Sequence, residues 1–385
     1  MEKEIYLDNA ATTRVDTDAA QLSFDVMTSL YGNPSSAHGK GLEAEHLLKE
    51  ARKQVLSCAG FTPKEASVIF TSCGTEASNS AILSSYKALG KRKHTAVISD
   101  SEHPSVENAV GELEKSGVKV HRIPTVGGRL DMDFAEKVMT DDVFLISCMA
   151  LNNETGAIYD VKGLGLLRKR KCPEAFFHVD AVQGFTHLPC SLSVFDADFI
   201  SVSGHKIYAP KGVGALIVKK GTRFTPLVVG GGQENNLRSG TENLPSICAF
   251  GLCCEKAEKE KASRLAHIKE LNGYARHLLS EKCPFIVFNT PSDGFADHIL
   301  SVSVPGIRSE IMLRFLSEKK IYVSAGSACS SKNADNRVLS AFGLGNSRTD
   351  STLRISFGIF NTKEDIDALA IALTEGNDSL IHTLK

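Results

Sequence analysis

Two side chains far apart along the chain have the character of nucleophiles. Lys206 lies in the stretch 196–214, which opens as an apolar strand through Phe199, Ile200 and Val202 and breaks at Ser203-Gly-His-Lys206. The stretch then turns at Pro210 and Gly212 into a second strand over 213–218. An amine just past a buried strand is partly desolvated, so its pKa falls and more of it is neutral, as attack on an aldehyde to form a Schiff base requires. Taken alone, the same lysine would serve equally well as the polar end of a strand. Cys329 lies in Ala325-Gly-Ser-Ala-Cys-Ser-Ser-Lys-Asn-Ala-Asp-Asn336, and alone among ten cysteines it lacks an apolar neighbourhood. A free thiol ionises near ~8.5, which leaves a usable thiolate fraction at neutral pH.

Other polar residues gather at one kind of position. Thr75 follows the strand-like 68–70 in Phe70-Thr-Ser-Cys-Gly74-Thr-Glu, where a tight turn opens a helix. The unpaired N–H groups and positive dipole end of such a turn suit a phosphate, although threonine there is equally satisfied as a helix cap. His103 follows the strand 95–99, Asn153 follows 143–148, and Asp180 and Gln183 follow 176–179. All stand just past strand ends, as Lys206 does. In an open α/β sheet, ligands collect beyond the carboxyl ends of the strands, so one crevice can gather them all. Asn33, in Gly32-Asn-Pro, is a turn residue that could also orient a carboxylate, and Arg354 could clamp one in a bidentate fork.

These residues need a scaffold, and the hydrophobic pattern supplies one. Helical spacing over 41–58 and 161–170 alternates with the short strands 68–70, 95–99, 118–121, 143–148 and 176–179. This rhythm predicts an α/β domain with a mainly parallel sheet. A glycine-rich loop over 230–243 and a charged helical tract over 255–281 lead into a second region. That region holds strands at 299–304 and 321–324 and helices at 309–319 and 363–373. The 385 residues, 42% hydrophobic and 23% charged, fit an ordinary globular protein of two domains. A net charge of −1 without a basic run argues against nucleic-acid or anionic-membrane partners, and no stretch approaches a membrane span. The acidic start Met-Glu-Lys-Glu does not resemble a leader peptide, so a cytoplasmic enzyme is expected. The scattered cysteines form no Cys-x-x-Cys pair, and neither a metal site nor a disulfide framework is expected.

Assembled, these motifs resemble the NifS/IscS-type cysteine desulfurases of aminotransferase class V, which are fold-type I pyridoxal-phosphate enzymes. The resemblance runs nearly end to end, through Tyr6-Leu-Asp-Asn-Ala-Ala-Thr-Thr13, Gly32-Asn-Pro-Ser-Ser36, Phe70-Thr-Ser-Cys-Gly-Thr-Glu76, Glu102-His-Pro104 and Asn152-Asn-Glu154. It continues through His178-Val-Asp-Ala181, Ser203-Gly-His-Lys-Ile-Tyr208, Arg238-Ser-Gly-Thr-Glu-Asn243 and Gly326-Ser-Ala-Cys329. It implies a large domain (15–256) with a mainly parallel seven-stranded sheet flanked by helices. A smaller α+β domain (1–14 and 257–385) would carry the cysteine loop (about 325–336).

The same resemblance implies roles. Lys206 would bind pyridoxal 5'-phosphate as a Schiff base, Asp180 would pair with its pyridine nitrogen and Gln183 with its ring oxygen. His103 would stack on the ring, where a chain without tryptophan can offer no indole, and shuttle protons, as its near-neutral pKa permits. Gly74, Thr75, Ser203 and His205 would form the phosphate site, with Thr241 reaching in from the other subunit of a homodimer. Asn153 would lie at the ring or substrate edge, and Asn33 and Arg354 would hold the carboxylate of L-cysteine. Cys329 would take the sulfur as a persulfide and pass it to an acceptor protein, an iron–sulfur scaffold or a tRNA-thiolation protein. Selenocysteine lyase, or another lyase on this scaffold, is the rival enzyme; a non-catalytic assembly partner is the rival outside catalysis. Three residues depart from the pattern: Asn235 and Ile359 replace usual arginines, and Cys73 replaces a common glycine.

Overall fold

The computed structural model describes residues 4–325 and 336–384, so Cys329 lies outside the described residues. In chain order the strands are β1 (Ile5–Tyr6), β2 (Ala66–Thr71), β3 (Thr95–Ser99), β4 (Lys119–Ile123) and β5 (Val143–Met149). Then come β6 (Phe176–Asp180), β7 (Phe199–Ser203), β8 (Gly214–Lys219), β9 (Val287–Phe288) and β10 (Ile299–Ser303). The last are β11 (Ile321–Tyr322), β12 (Ser324–Ala325) and β13 (Thr352–Ser356).

Seven strands form one sheet in the order β2-β8-β7-β6-β5-β3-β4. Only β8 runs against the others. Every residue of β3 and β5 is buried, as continuous Val/Ile/Leu runs require when helices cover both faces. Alternation decides which face each residue serves: Val97 and Ile146 pack toward the helices Gly39–Cys58 and Leu244–Lys259, whereas Ile98 and Leu145 pack toward Gly74–Leu89 and Pro104–Lys115. Fully buried Phe144, Phe177, Phe199 and Phe250 each contribute about 1.5–3 kcal/mol of transfer free energy.

A four-stranded sheet, β12-β13-β10-β9, and the parallel pair β1–β11 build around a separate core. That core joins Leu7, just past β1, to Leu271, Leu300, Met312, Leu353 and Leu369. The opening segment therefore packs with the far end of the chain.

Some sequence expectations needed correction. The tract 255–281 is two helices, Leu244–Lys259 and Lys261–Lys282, broken at Glu260. The single strand expected over 321–324 is two short ones in different sheets. The helix expected over 363–373 runs on to Ser379 from a Thr362/Asp365 capping box. Helix Thr17–Thr28 went unread although Asp16 is a standard cap for it, accepting from the Asp18 and Ala19 N–H groups. Among the described residues, no helix is long and apolar enough to cross a membrane.

Candidate active site

The parallel strands deliver their last residues to one crevice. β6 ends at Asp180, which is buried, and its Oδ1 accepts from the Val182 N–H at 2.9 Å. Behind it, His178 is fully buried between Ser147 Oγ on β5 and Ser201 Oγ on β7, each 2.8 Å away. Burial pushes this imidazole down to about 3, so it stays neutral and braces three strands beneath Asp180. Sequence reading gave His178 no role; its place in an otherwise apolar strand was the available signal.

β7 ends at Ser203 and the chain tightens into one turn of 3₁₀ helix, Gly204–Lys206. Lys206 Nζ donates to the carbonyls of Ala10 at 2.6 Å and Ala11 at 2.8 Å. Gln183 Nε2 donates to the same Ala10 oxygen at 2.6 Å. The small residues of the N-terminal turn let its backbone come this close, and Thr13 fastens it through the His205 carbonyl and the Tyr208 N–H. Burial pushes the Lys206 amine down to about 8, and Arg354 pushes the same way against Asp8 and Asp180.

His103 is the N-cap of the helix Pro104–Lys115. Its Nδ1 accepts from the Ser105 N–H at 3.1 Å, which leaves the ring proton on Nε2. The residue is exposed, yet desolvation by the surrounding protein lowers its pKa. Asp180 opposes that shift, and Lys206 and Arg337 add to it. Burial raises the Asp180 carboxyl against the pull of His103 and Lys206. The preceding Glu102 is wholly buried, with Oε1 accepting from Ser99 Oγ at 2.5 Å and the Met149 N–H at 2.8 Å. Its Oε2 has no partner, and burial pushes the carboxyl up to about 8, with Asp180 adding to the rise.

Next to these groups the helix Gly74–Leu89 presents its N-terminus. A Cβ at Gly74 would stand 2.8 Å from Val182 Cγ2 and 3.4 Å from Ser203 Cβ, so only glycine fits this close approach. Ser203 Oγ is buried there without a partner. Thr75 is exposed at the second helical position, and the N-cap is Cys73, which makes no side-chain cap bond. His205 lies 3.2 Å from Thr12 Oγ1 and is neutral, its pKa lowered to about 4 chiefly by burial. An orphaned hydroxyl, a glycine cradle and a helix N-terminus together fit a phosphate, and Asp180 and Lys206 fit the ring and aldehyde of a pyridoxal.

Arg354 reaches the crevice from β13. Its Nη1 donates to the Asn153 carbonyl at 2.9 Å, and its Nη2 to Asp8 Oδ1 at 2.9 Å and Ser324 Oγ at 3.1 Å. Asn153 thus meets the site through its main chain. Asp8 and Ser324 were not singled out from the sequence, because nothing local pairs either one with an arginine more than 25 residues away. Asn33 is exposed and its carboxamide oxygen accepts from the Ser35 N–H at 2.9 Å, while Thr241 is exposed. Among the described residues, the Asn33 side chain is engaged by its own turn and not by the other candidate residues.

The three departures have local accounts. Asn235 sits at φ 55° between two other left-handed residues, a conformation that asparagine tolerates better than most side chains. The Ile359 N–H donates to Tyr208 Oη at 2.9 Å, a contact any residue can make. Cys73 has an extended backbone at φ −171°, which needs no glycine. The 230–241 loop is tied to the helix Gly74–Leu89 by Arg238, whose Nε lies 2.8 Å from Glu76 Oε1.

Comparison with known proteins agrees with this arrangement. Residues 5–369 match the Aminotransferase class-V family. The chain is 36% identical over 371 residues to a protein named cysteine desulfurase 2 from Trichormus variabilis, covering 94% of this chain and 90% of that one. It is 35% identical over 366 residues to the cysteine desulfurase NifS of Azotobacter vinelandii, covering 94% of this chain and 90% of the relative. Among solved structures, a NifS-like protein superposes with a TM-score of 0.92 at 35% identity, covering 98% of this chain and 100% of that one. With the sheet, the crevice and the sequence in agreement over nearly the whole length, this chain belongs to the class-V aminotransferase family.

Proposed function

We propose that this protein is a pyridoxal-phosphate-dependent cysteine desulfurase. What carries the reading is the meeting, at one end of the sheet, of the Lys206 amine, the buried Asp180 carboxylate and the glycine-cradled N-terminus of Gly74–Leu89. When bound, pyridoxal phosphate supplies an electron sink for charge developing at the substrate Cα. Lys206 provides the amine for its aldehyde, and Gln183 faces the same pocket. Gly74, Thr75, Ser203 and His205 hold the phosphate, with Thr241 of a second subunit. Asp180 accepts a hydrogen bond from the ring nitrogen, and His103 moves protons at Nε2. Arg354 binds the substrate carboxylate beside Asn153, with Asn33 assisting. The Cys329 thiolate attacks the substrate sulfur; the S–S bond forms as Cβ–S breaks, and protonation at carbon gives alanine. Cys329 then hands the sulfur to an acceptor protein in iron–sulfur assembly or thio-modification.

The separate core that includes Leu7 and Leu369 supports a division into 15–256 and 1–14 plus 257–385. Exposed Phe24, Met27, Tyr31 and Leu42 support a homodimer, since apolar surface of this kind favours a partner. A cytoplasmic setting suits the thiol chemistry. The test is borohydride reduction and peptide mapping together with cysteine turnover. The cofactor should be trapped on Lys206, and Cys329→Ala should abolish sulfide and alanine release while keeping the cofactor's colour. Trapping elsewhere, or full turnover by that variant, would refute the proposal.

A further inference from the structure

A guanidinium carries five N–H hydrogens in a planar fork, and a carboxylate docks on it bidentately along the Nε/Nη2 edge or the Nη1/Nη2 edge. In Arg354 both edges are blocked. Nη2 belongs to each, and its two hydrogens go to Asp8 Oδ1 and Ser324 Oγ. Nη1 spends one hydrogen on the Asn153 carbonyl, and Nε is buried without a partner. Sheet register builds this arrangement: Ser324 stands directly opposite Arg354 in the β12–β13 ladder, and Asp8 enters through a bridge to Ser356. Ser324 Oγ also donates to Asp8 Oδ1 at 2.7 Å.

We infer that Asp8 is an internal competitor for the substrate carboxylate. It holds Nη2 until an incoming carboxylate takes that nitrogen, and so it sets the affinity for carboxylate-bearing ligands. The displaced Asp8 keeps a donor, because Ser324 remains bonded to the same oxygen. The ion pair is largely shielded, with side-chain exposures of 9% for Arg354 and 18% for Asp8, so the competition takes place where charged hydrogen bonds are strong. This inference rests on the reading of Arg354 as the substrate-carboxylate clamp.

The matched ligands L-alanine and ethylamine, which differ only by the carboxylate, isolate the effect. In the cofactor-loaded enzyme their Kd values are read from the cofactor's visible absorbance, with KM for L-cysteine alongside. Asp8→Asn should tighten L-alanine about tenfold relative to ethylamine, the scale of one charge-assisted hydrogen bond, and lower the KM for cysteine to match. An unchanged or weakened alanine-to-ethylamine ratio overturns the inference. Arg354→Gln separates it from the reading beneath it. If that variant weakens alanine selectively while Asp8→Asn changes nothing, only the competitor role fails. If it leaves the ratio untouched, the clamp itself fails and the inference with it. Should Asp8→Asn not fold, Ser324→Ala takes its place: it frees one Nη2 hydrogen, so a few-fold selective tightening supports the inference and no change overturns it.

Discussion

The Lys206 amine gives the most direct quantitative test. Its pKa of about 8 against an ordinary 10.5 is a difference of roughly 3.4 kcal/mol in favour of the neutral form. At pH 7.5 about a quarter of such amines are neutral, against about one in a thousand for an ordinary lysine. The cofactor-free protein should therefore capture pyridoxal phosphate at a rate that climbs with pH to a midpoint near 8. Stopped mixing across pH 6–11, scored by absorbance and confirmed by borohydride trapping, measures this directly. Arg354→Met should move the midpoint upward, because the guanidinium is the second cause of the depression after burial. Asp8→Asn should move it downward, because that carboxylate holds the amine up. A midpoint near 10, or a downward move in Arg354→Met, would refute the electrostatic account. The same shift has a stability sign. Between about 8 and 10.5 the unfolded chain binds more protons at this lysine, so the cofactor-free protein gains stability as pH rises through that window.

Two buried groups give further outcomes. The Glu102 carboxyl is raised from 4.5 to about 8, so the folded chain retains a proton that the unfolded chain releases, and this group costs stability as pH rises from 4.5 to 8. Glu102→Gln keeps the acceptor for Ser99 and Met149, and its melting temperature should overtake that of the parent with rising pH; a pH-independent difference would contradict this. His178 is lowered from 6.5 to about 3, so stability should fall as pH drops below 6.5 and the unfolded chain takes up a proton that the folded chain refuses. His178→Gln should flatten that acid limb while losing about 1–3 kcal/mol at pH 7 from imperfect pairing of Ser147 and Ser201, measured by urea unfolding.

Much of the crevice was legible because its residues share a local grammar. Asp180, Ser203, Lys206 and His103 each follow an apolar run at a turn, and a parallel sheet carries such positions to one edge whatever the loop lengths. The helix opening at Gly74 could be read for the same reason. Less legible were contacts made by register between distant strands. Ser324 meets Arg354 because β12 and β13 pair antiparallel, and Asp8 joins them because β1 packs beside β11 and the chain leaves it next to Ser356. No periodicity in either segment predicts that pairing.

The amino-acid order alone determined the α/β rhythm, the candidate nucleophiles and the strand-end positions, since these depend on hydrophobic spacing and turn chemistry within a few residues. Tertiary structure decided which charges face one another. Only folding brings the Ala10 and Ala11 carbonyls to Lys206, the Glu102 carboxyl into a dry interior near Asp180, and the Asp8 carboxylate to the Arg354 fork. The reason is physical: desolvation and Coulomb interactions depend on distance in space, which sequence separation does not set.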